Sequence, residues 1–177
     1  MNNLEIKNIG FIGLGVMGSS MCKNLLKNKD WNILVKDLDP KKEKELKNLG
    51  AKIAEDVKEV FKLSDLVITC LPGGSFVEDL YLGKNKNISY VKTNQFIIDM
   101  STSQPDLMIR LEDKIKIKGS HFADAPIART RQAAIDGTLA IMVGSSKNVY
   151  NKILPILRFM GNDIMHCGKV GTGQLTK

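Results

Sequence analysis

Residues 8–18 read Asn8-Ile9-Gly10-Phe11-Ile12-Gly13-Leu14-Gly15-Val16-Met17-Gly18. The run through Gly13 is short and apolar, as a buried strand is. Beyond it Met17, Met21 and Leu25 recur on one face at helical spacing, which predicts a helix over 16–28. Between strand and helix stand Gly13, Gly15 and Gly18, a GxGxxG. In that setting Gly13 permits the tight turn, Gly15 lets a pyrophosphate approach the backbone, and Gly18 lets helix and strand pack closely. The helix N-terminus then faces the phosphates. Asp37 closes the second predicted strand, where an acidic side chain hydrogen-bonds the adenosine ribose. An acid there repels a 2′-phosphate, so NAD is expected rather than NADP, although Lys41 and Lys42 nearby leave some room for NADP.

Working outward, apolar runs alternate with helical patterns. Strands are predicted at 32–36, near 51–53, at 66–70, 95–99, near 120–124, at 138–143 and at 163–167. Helices are predicted at 40–49, 55–62, near 75–82, from just after Ser103 to about 117, and from about 146 to 160, the last bent by Pro155. Ser103, two residues before Pro105, is the expected N-cap of its helix. Residues 127–137 read as a polar segment. This order predicts an α/β protein with a doubly wound, mostly parallel sheet, a Rossmann-type dinucleotide-binding domain with its ligand at the carboxyl ends of the strands.

Composition narrows the function. The chain has 177 residues and a net charge of +7, but its 26 basic residues are mostly lysines interspersed with glutamates, as in Lys41-Lys42-Glu43-Lys44-Glu45. That is a solvated helix face, and no aromatic ladder accompanies it, so nucleic acid is not an expected partner. No apolar run reaches the roughly 18 residues of a membrane span, and residues 1–7 lack a secretory layout, so no membrane partner and a cytoplasmic location are expected. Cys22, Cys70 and Cys167 lie far apart without metal-ligand spacing, so neither a disulfide framework nor a metal site is expected.

Several blocks resemble one family. Gly10-Phe11-Ile12-Gly13-Leu14-Gly15-Val16-Met17-Gly18, followed by Met21 and Asn24-Leu25-Leu26, resembles the signature of the β-hydroxyacid dehydrogenases, such as 3-hydroxyisobutyrate dehydrogenase. Leu71-Pro72, Asp99-Met100-Ser101-Thr102, Asp124-Ala125-Pro126 with Gly137-Thr138-Leu139, and the closing Gly168-Lys169-Val170-Gly171-Thr172-Gly173-Gln174-Leu175-Thr176-Lys177 agree in order. The resemblance implies that Val16, Met17, Asp37, Leu71 and Thr102 contact NAD, with Leu14 and Pro72 in the same loops and Ser101 on the substrate side. It also implies that Lys177 is the catalytic general acid in carbonyl reduction and the base in the reverse direction. Hydride arriving at a carbonyl carbon builds charge on oxygen, and a positioned ammonium stabilises that charge and supplies the proton. The implied substrate is a small anionic carbonyl compound or hydroxy acid.

One loop departs from the family pattern. Where small Ser-Gly-Gly residues usually follow Asp-Ala-Pro-Val, this chain has Ala128-Arg129-Thr130. That variant resembles the sulfolactaldehyde reductase branch, in which Arg129, with Thr130 beside it, would bind a sulfonate through a planar fork of donors. Asp124 and Asp136 are expected only to orient or solvate this loop. The expected organisation is an NAD-binding domain over 1–168 and the start of an interdomain helix over 169–177. The family's helical C-terminal domain is expected to be missing from this chain, so activity and homo-oligomer formation are expected of a longer form. The alternative is a non-catalytic NAD-binding module that pairs with another chain.

Overall fold

The computed structural model describes residues 5–177. Among them six strands form a parallel unit: β1 (Asn8–Ile12), β2 (Asn32–Lys36), β3 (Lys52–Ile53), β4 (Leu66–Thr69), β5 (Phe96–Asp99) and β6 (His121–Asp124). Their spatial order is β3-β2-β1-β4-β5-β6. β1 pairs with both β2 and β4, so the winding reverses at β1, which is where a doubly wound sheet opens a crevice for a ligand.

The alternation of side chains along each strand builds two cores. Ile9, Phe11, Leu66, Ile68, Phe96 and Ile98 face one side, while Ile12, Val67, Ile97 and Phe122 face the other. The first face is covered by α1 (Val16–Leu25) and α2 (Pro40–Asn48), and the second by α3 (Val57–Leu63), α4 (Gly74–Leu82) and α5 (Pro105–Ile117). Each fully buried side chain of this size contributes about 1.5–3 kcal/mol. Helix entries follow local chemistry: Asp39 accepts from the Lys41 amide at 2.9 Å before Pro40, and Asp56 from the Glu59 amide at 2.7 Å. The entry to α5 departs from expectation. Gln104 takes the N-cap position without a side-chain bond, and the Ser103 hydroxyl is buried without a partner among the described residues.

Beyond β6 the chain adds β7 (Ile127–Ala128), α6 (Arg131–Asp136), β8 (Leu139–Gly144), α7 (Lys147–Leu157), β9 (Gly161–Gly168) and α8 (Thr172–Thr176). β8 runs antiparallel to β6 and β7 and parallel to β9. The sheet is therefore mostly parallel with an antiparallel margin. The segment 127–137, expected to be a polar loop, holds β7 and α6. Both are too short to show a period, but α6 is framed by local signals: the Thr130 hydroxyl accepts from the Ala133 amide at 3.3 Å, and Gly137 closes the helix at φ +71°. α6 is fastened to α1 by buried Asn24, whose amide donates to the Ala134 carbonyl at 2.8 Å. α7 stops at Leu157, two residues after Pro155. A 3-10 turn at Asn87–Tyr90, unsuspected from sequence, joins α4 to β5. No helix among the described residues is long and apolar enough to cross a membrane.

Candidate active site

The carboxyl end of β1 leads into the glycine loop. Gly13 has φ +94°, and a Cβ there would strike the Cys70 carbonyl after β4. A Cβ on Gly18 would strike the Gly13 carbonyl, so these two glycines answer to packing within the chain. Gly15 is different. Its φ of −64° suits any residue, and a Cβ there would meet nothing within 4 Å. The space above it is open, and no side chain caps α1. The first-turn amides of α1 are thus left for an outside acceptor, which fits the pyrophosphate of a dinucleotide.

Asp37 lies against this loop. One carboxylate oxygen accepts from the Leu14 amide at 2.5 Å and the other from the Asp39 amide at 2.8 Å, with the Lys42 ammonium 3.9 Å away. A carboxylate has about four acceptor positions. Two remain for ribose hydroxyls. Val16 is exposed and Met17 half-buried at the start of α1, beside the open space.

The second wall is made by the ends of β4, β5 and β6, where Thr69, Asp99 and Asp124 stand in register. Asp99 is fully buried. One of its oxygens accepts from the Thr69 hydroxyl at 2.6 Å and the Ser101 hydroxyl at 2.8 Å, while the other has no partner among the described residues. Burial pushes this carboxyl up to about 6, against the pull of those two hydroxyls, and the neighbouring Asp124 adds to the rise. Ser101 also accepts from the Leu71 amide at 2.9 Å, so it ties the loop after β4, with Leu71 and Pro72, to the loop after β5. Ser101, expected on the substrate side, is itself buried.

Lys177 reaches the same end of the sheet. Its ammonium donates to the Thr102 hydroxyl and to the Ile127 carbonyl, each at 2.7 Å. Two of three protons are committed and one remains. Partial desolvation holds this ammonium below the ordinary lysine range. The turn that carries Lys177 rests on Asp124, which is fully buried rather than solvating a loop. Its two oxygens accept from the Gly171 amide at 2.7 Å and the Gln174 amide at 2.8 Å. The Gln174 side chain donates to the Ser101 carbonyl at 2.8 Å and accepts from the Ser103 amide at 3.0 Å. Sequence reading passed over Gln174 and the tie from Asp124, because their partners lie 47 to 73 positions away.

Arg129 and Thr130 are engaged elsewhere. The Arg129 guanidinium donates to the Thr138 carbonyl at 2.7 Å, the Asn162 side chain at 3.1 Å and Asp163 at 3.0 Å. Its φ is +87°, a conformation that favours glycine. The Thr130 hydroxyl caps α6. The structure therefore unites Gly13, Leu14, Gly15, Gly18 and Asp37 in one loop system, Leu71 and Ser101 in a second, and Thr102 with Lys177 in a third.

Residues 8–168 match the family model of the NAD binding domain of 6-phosphogluconate dehydrogenase. The chain belongs to this family. Within it, the chain is 39% identical over 171 residues to an uncharacterized oxidoreductase of Bacillus subtilis, covering 97% of this chain and 59% of that one. It is 36% identical over 169 residues to the mitochondrial 3-hydroxyisobutyrate dehydrogenase of Mus musculus, covering 96% of this chain and 50% of that one. The structure superposes with a TM-score of 0.90 on the Mycobacterium tuberculosis 3-hydroxyisobutyrate dehydrogenase solved with L-serine, at 28% identity, covering 97% of this chain and 58% of the other. The chain thus spans about half to three-fifths of these relatives. It is an NAD-binding domain of Rossmann type whose homologues are 3-hydroxyisobutyrate dehydrogenases and related oxidoreductases.

Two predictions follow from this geometry. Gly15→Ala is expected to leave stability within about 0.5 kcal/mol of wild type while weakening NADH binding about tenfold or more. Gly18→Ala is expected to cost about 1–3 kcal/mol of stability through overpacking. Denaturant unfolding and a fluorescence titration with NADH check both, and equal effects of the two changes would contradict the assignment. The second concerns Asp99. Its folded pKa lies above the unfolded value, so the stability it contributes is whole below about pH 4 and is lost as pH rises through about 6. Asp99→Asn keeps an acceptor for both hydroxyls but does not ionise. Between pH 4 and pH 7 the unfolding free energy should therefore shift in favour of the variant by about 2–3 kcal/mol; parallel pH curves would show that Asp99 ionises as an ordinary carboxyl does.

Proposed function

We propose that this chain is the cofactor-binding part of an NAD-dependent dehydrogenase of the β-hydroxyacid type, which interconverts a small anionic aldehyde and the corresponding 3-hydroxy acid. The observation that carries the reading is the Lys177 ammonium, held on Thr102 and Ile127 at the carboxyl end of the same sheet whose β1 loop is open above Gly15. When bound, the nicotinamide gives or takes the hydride. The residues of the chain do the rest. Gly13, Leu14, Gly15, Val16, Met17 and Gly18 receive the pyrophosphate side, Asp37 the ribose, and Leu71, Pro72 and Thr102 the nicotinamide side. Asp37 disfavours a 2′-phosphate, so NAD is the working cofactor and NADP the weaker one.

Lys177 donates its free proton to the carbonyl oxygen as reduction proceeds and recovers it in the oxidation direction. A lowered pKa brings that transfer nearer to neutral pH, where general acid catalysis is most effective. Support for the substrate class comes from the relatives named as 3-hydroxyisobutyrate dehydrogenases. The activity and assembly proposed here are those of a whole protein, of which the relatives are about twice the length matched. Within that class, sulfolactaldehyde is the finer proposal. It requires the Arg129 guanidinium to exchange Asp163 for the sulfonate, and both side chains of that ion pair are exposed enough to part.

NADH is expected to bind more tightly than NADPH, and Lys177→Ala to lower turnover of the hydroxy acid by about 10²-fold or more while NADH affinity stays within about threefold. Unchanged turnover would remove Lys177 from the mechanism. For the finer proposal, Arg129→Ser is expected to depress sulfolactaldehyde reduction about tenfold relative to carboxylate substrates, about 1.4 kcal/mol of lost recognition. An unaltered substrate profile would sink the sulfonate reading and leave the broader one standing.

A further inference from the structure

Lys177 follows a helix of five residues, α8, which is too short to hold a direction by itself. Its aim must come from tertiary bonds. Asp124 supplies one set, accepting from the Gly171 and Gln174 amides beneath the first turn. The fit there is close. A Cβ at position 173 would lie 2.5 Å from the Met142 carbonyl oxygen and 2.7 Å from an Asp124 carboxylate oxygen, so only glycine lets the turn settle onto that carboxylate. This fixes the base of α8 against β6 and β8. It does not fix α8 against the loop after β5, where the hydroxyl that receives Lys177 stands.

Gln174 makes that second connection. Its side-chain amide straddles Thr102: the NH2 donates to the carbonyl of Ser101 and the oxygen accepts from the amide of Ser103. Both halves of the amide are used, and the side chain is largely buried. Thr102 projects outward between these two anchored neighbours, and its hydroxyl accepts from Lys177 three residues along the chain from Gln174. The same loop is tied through Ser101 to Leu71 on one side and to Asp99 on the other. No charged side chain and no shorter amide spans the same two backbone groups with one donor and one acceptor.

We propose that Gln174 is a positioning residue: by bridging Ser101 and Ser103 it sets the separation of Lys177 from Thr102 and so holds the proton donor at the cofactor loop. The proposal rests on the reading of Lys177 as that donor. Gln174 touches no reacting group, and its effect passes through the backbone on either side of Thr102. Removing the bridge frees α8 to swing on its Asp124 hinge, and the lysine then regains solvent. Its other close polar partner, the carbonyl of Ile127 in β7, lies on a different element from Thr102 and cannot restore the register with it. The titratable group coupled to Lys177 is the Cys70 thiol, which burial pushes up to about 12, so it stays neutral across the working range.

The test reads the lysine directly, in the apo chain and without substrate. In 15N-lysine-labelled protein the Nζ resonance of Lys177, assigned by its loss in Lys177→Arg, is followed against pH. In wild type it is expected to titrate below the other lysines. In Gln174→Met, which keeps length and burial but has neither donor nor acceptor pair, it is expected to rejoin them, with NADH affinity within about threefold of wild type. A variant that melts earlier while Lys177 still titrates below the others would overturn the proposal, since Gln174 would then be a structural residue only. If Gln174→Met does not fold, Gln174→Asn takes its place. That variant keeps an amide one methylene too short to reach both partners, and the same two outcomes apply. Failure of the donor reading shows up separately, as turnover that survives Lys177→Ala.

Discussion

Two carboxylates, Asp99 and Asp124, end adjacent parallel strands, paired in register and shut off from water, with no cation among the described residues bonded to either. Burying a charge without compensation is costly, and a second one beside it adds repulsion. The chain meets that cost with neutral donors only. Asp99 takes two hydroxyls and shifts toward its protonated form, while Asp124 takes two backbone amides. Those donors belong to the loops that make the site. Ser101 brings in the loop after β4, and Gly171 and Gln174 bring in the turn before Lys177. The loops at the carboxyl end of the sheet are therefore anchored to strand ends, and the positions of Thr102 and Lys177 follow from where these two acids sit.

The glycine loop, Asp37 and the alternation of apolar strands with helices were legible in the sequence because each is a local pattern. A strand that puts Phe11 on one face and Ile12 on the other announces a sheet covered on both sides. Gly18 is fixed by Gly13 five residues before it, and although Gly13 is fixed by Cys70 after the neighbouring strand β4, the spacing of the glycines is itself a local pattern. What stayed hidden rests on long separations. Nothing near Asp124 marks it as the seat of a turn 47 positions later. The N-cap of α5 shows how such a bond overrides local preference. Ser103 is a good cap by type, but its amide is drawn to Gln174 and its hydroxyl is buried, so the N-cap falls one residue later, on Gln104. In 127–137 the reason was length, since two strand residues and six helical ones leave no period to read.

Arg129 joins the two themes. A non-glycine residue at φ +87° carries strain of about 1–3 kcal/mol, and it persists only where surroundings hold it. Three acceptors, one just before β8 and two at the start of β9, do so here. The resemblance to a glycine-containing loop is thus preserved in the backbone, while the side chain added at that point is used to fasten β7 to the antiparallel margin. Strand β7, whose first residue Ile127 is the second acceptor of Lys177, is held by this fastening as well as by its pairing with β8.

That arrangement bears on how an anion would be met. The ion pair of Arg129 with Asp163 is largely exposed, and pairs of that kind contribute about 0–1 kcal/mol. Exchanging Asp163 for a better acceptor costs little, provided the Thr138 carbonyl continues to hold the guanidinium at its base. A dianionic or three-oxygen head group presents more acceptors to a planar fork than a carboxylate does, so the exchange favours the former. On the proposed reading, substrate selection in this loop is a competition between an internal carboxylate and an incoming anion, decided at the surface, while the buried acids beneath keep Lys177 in place.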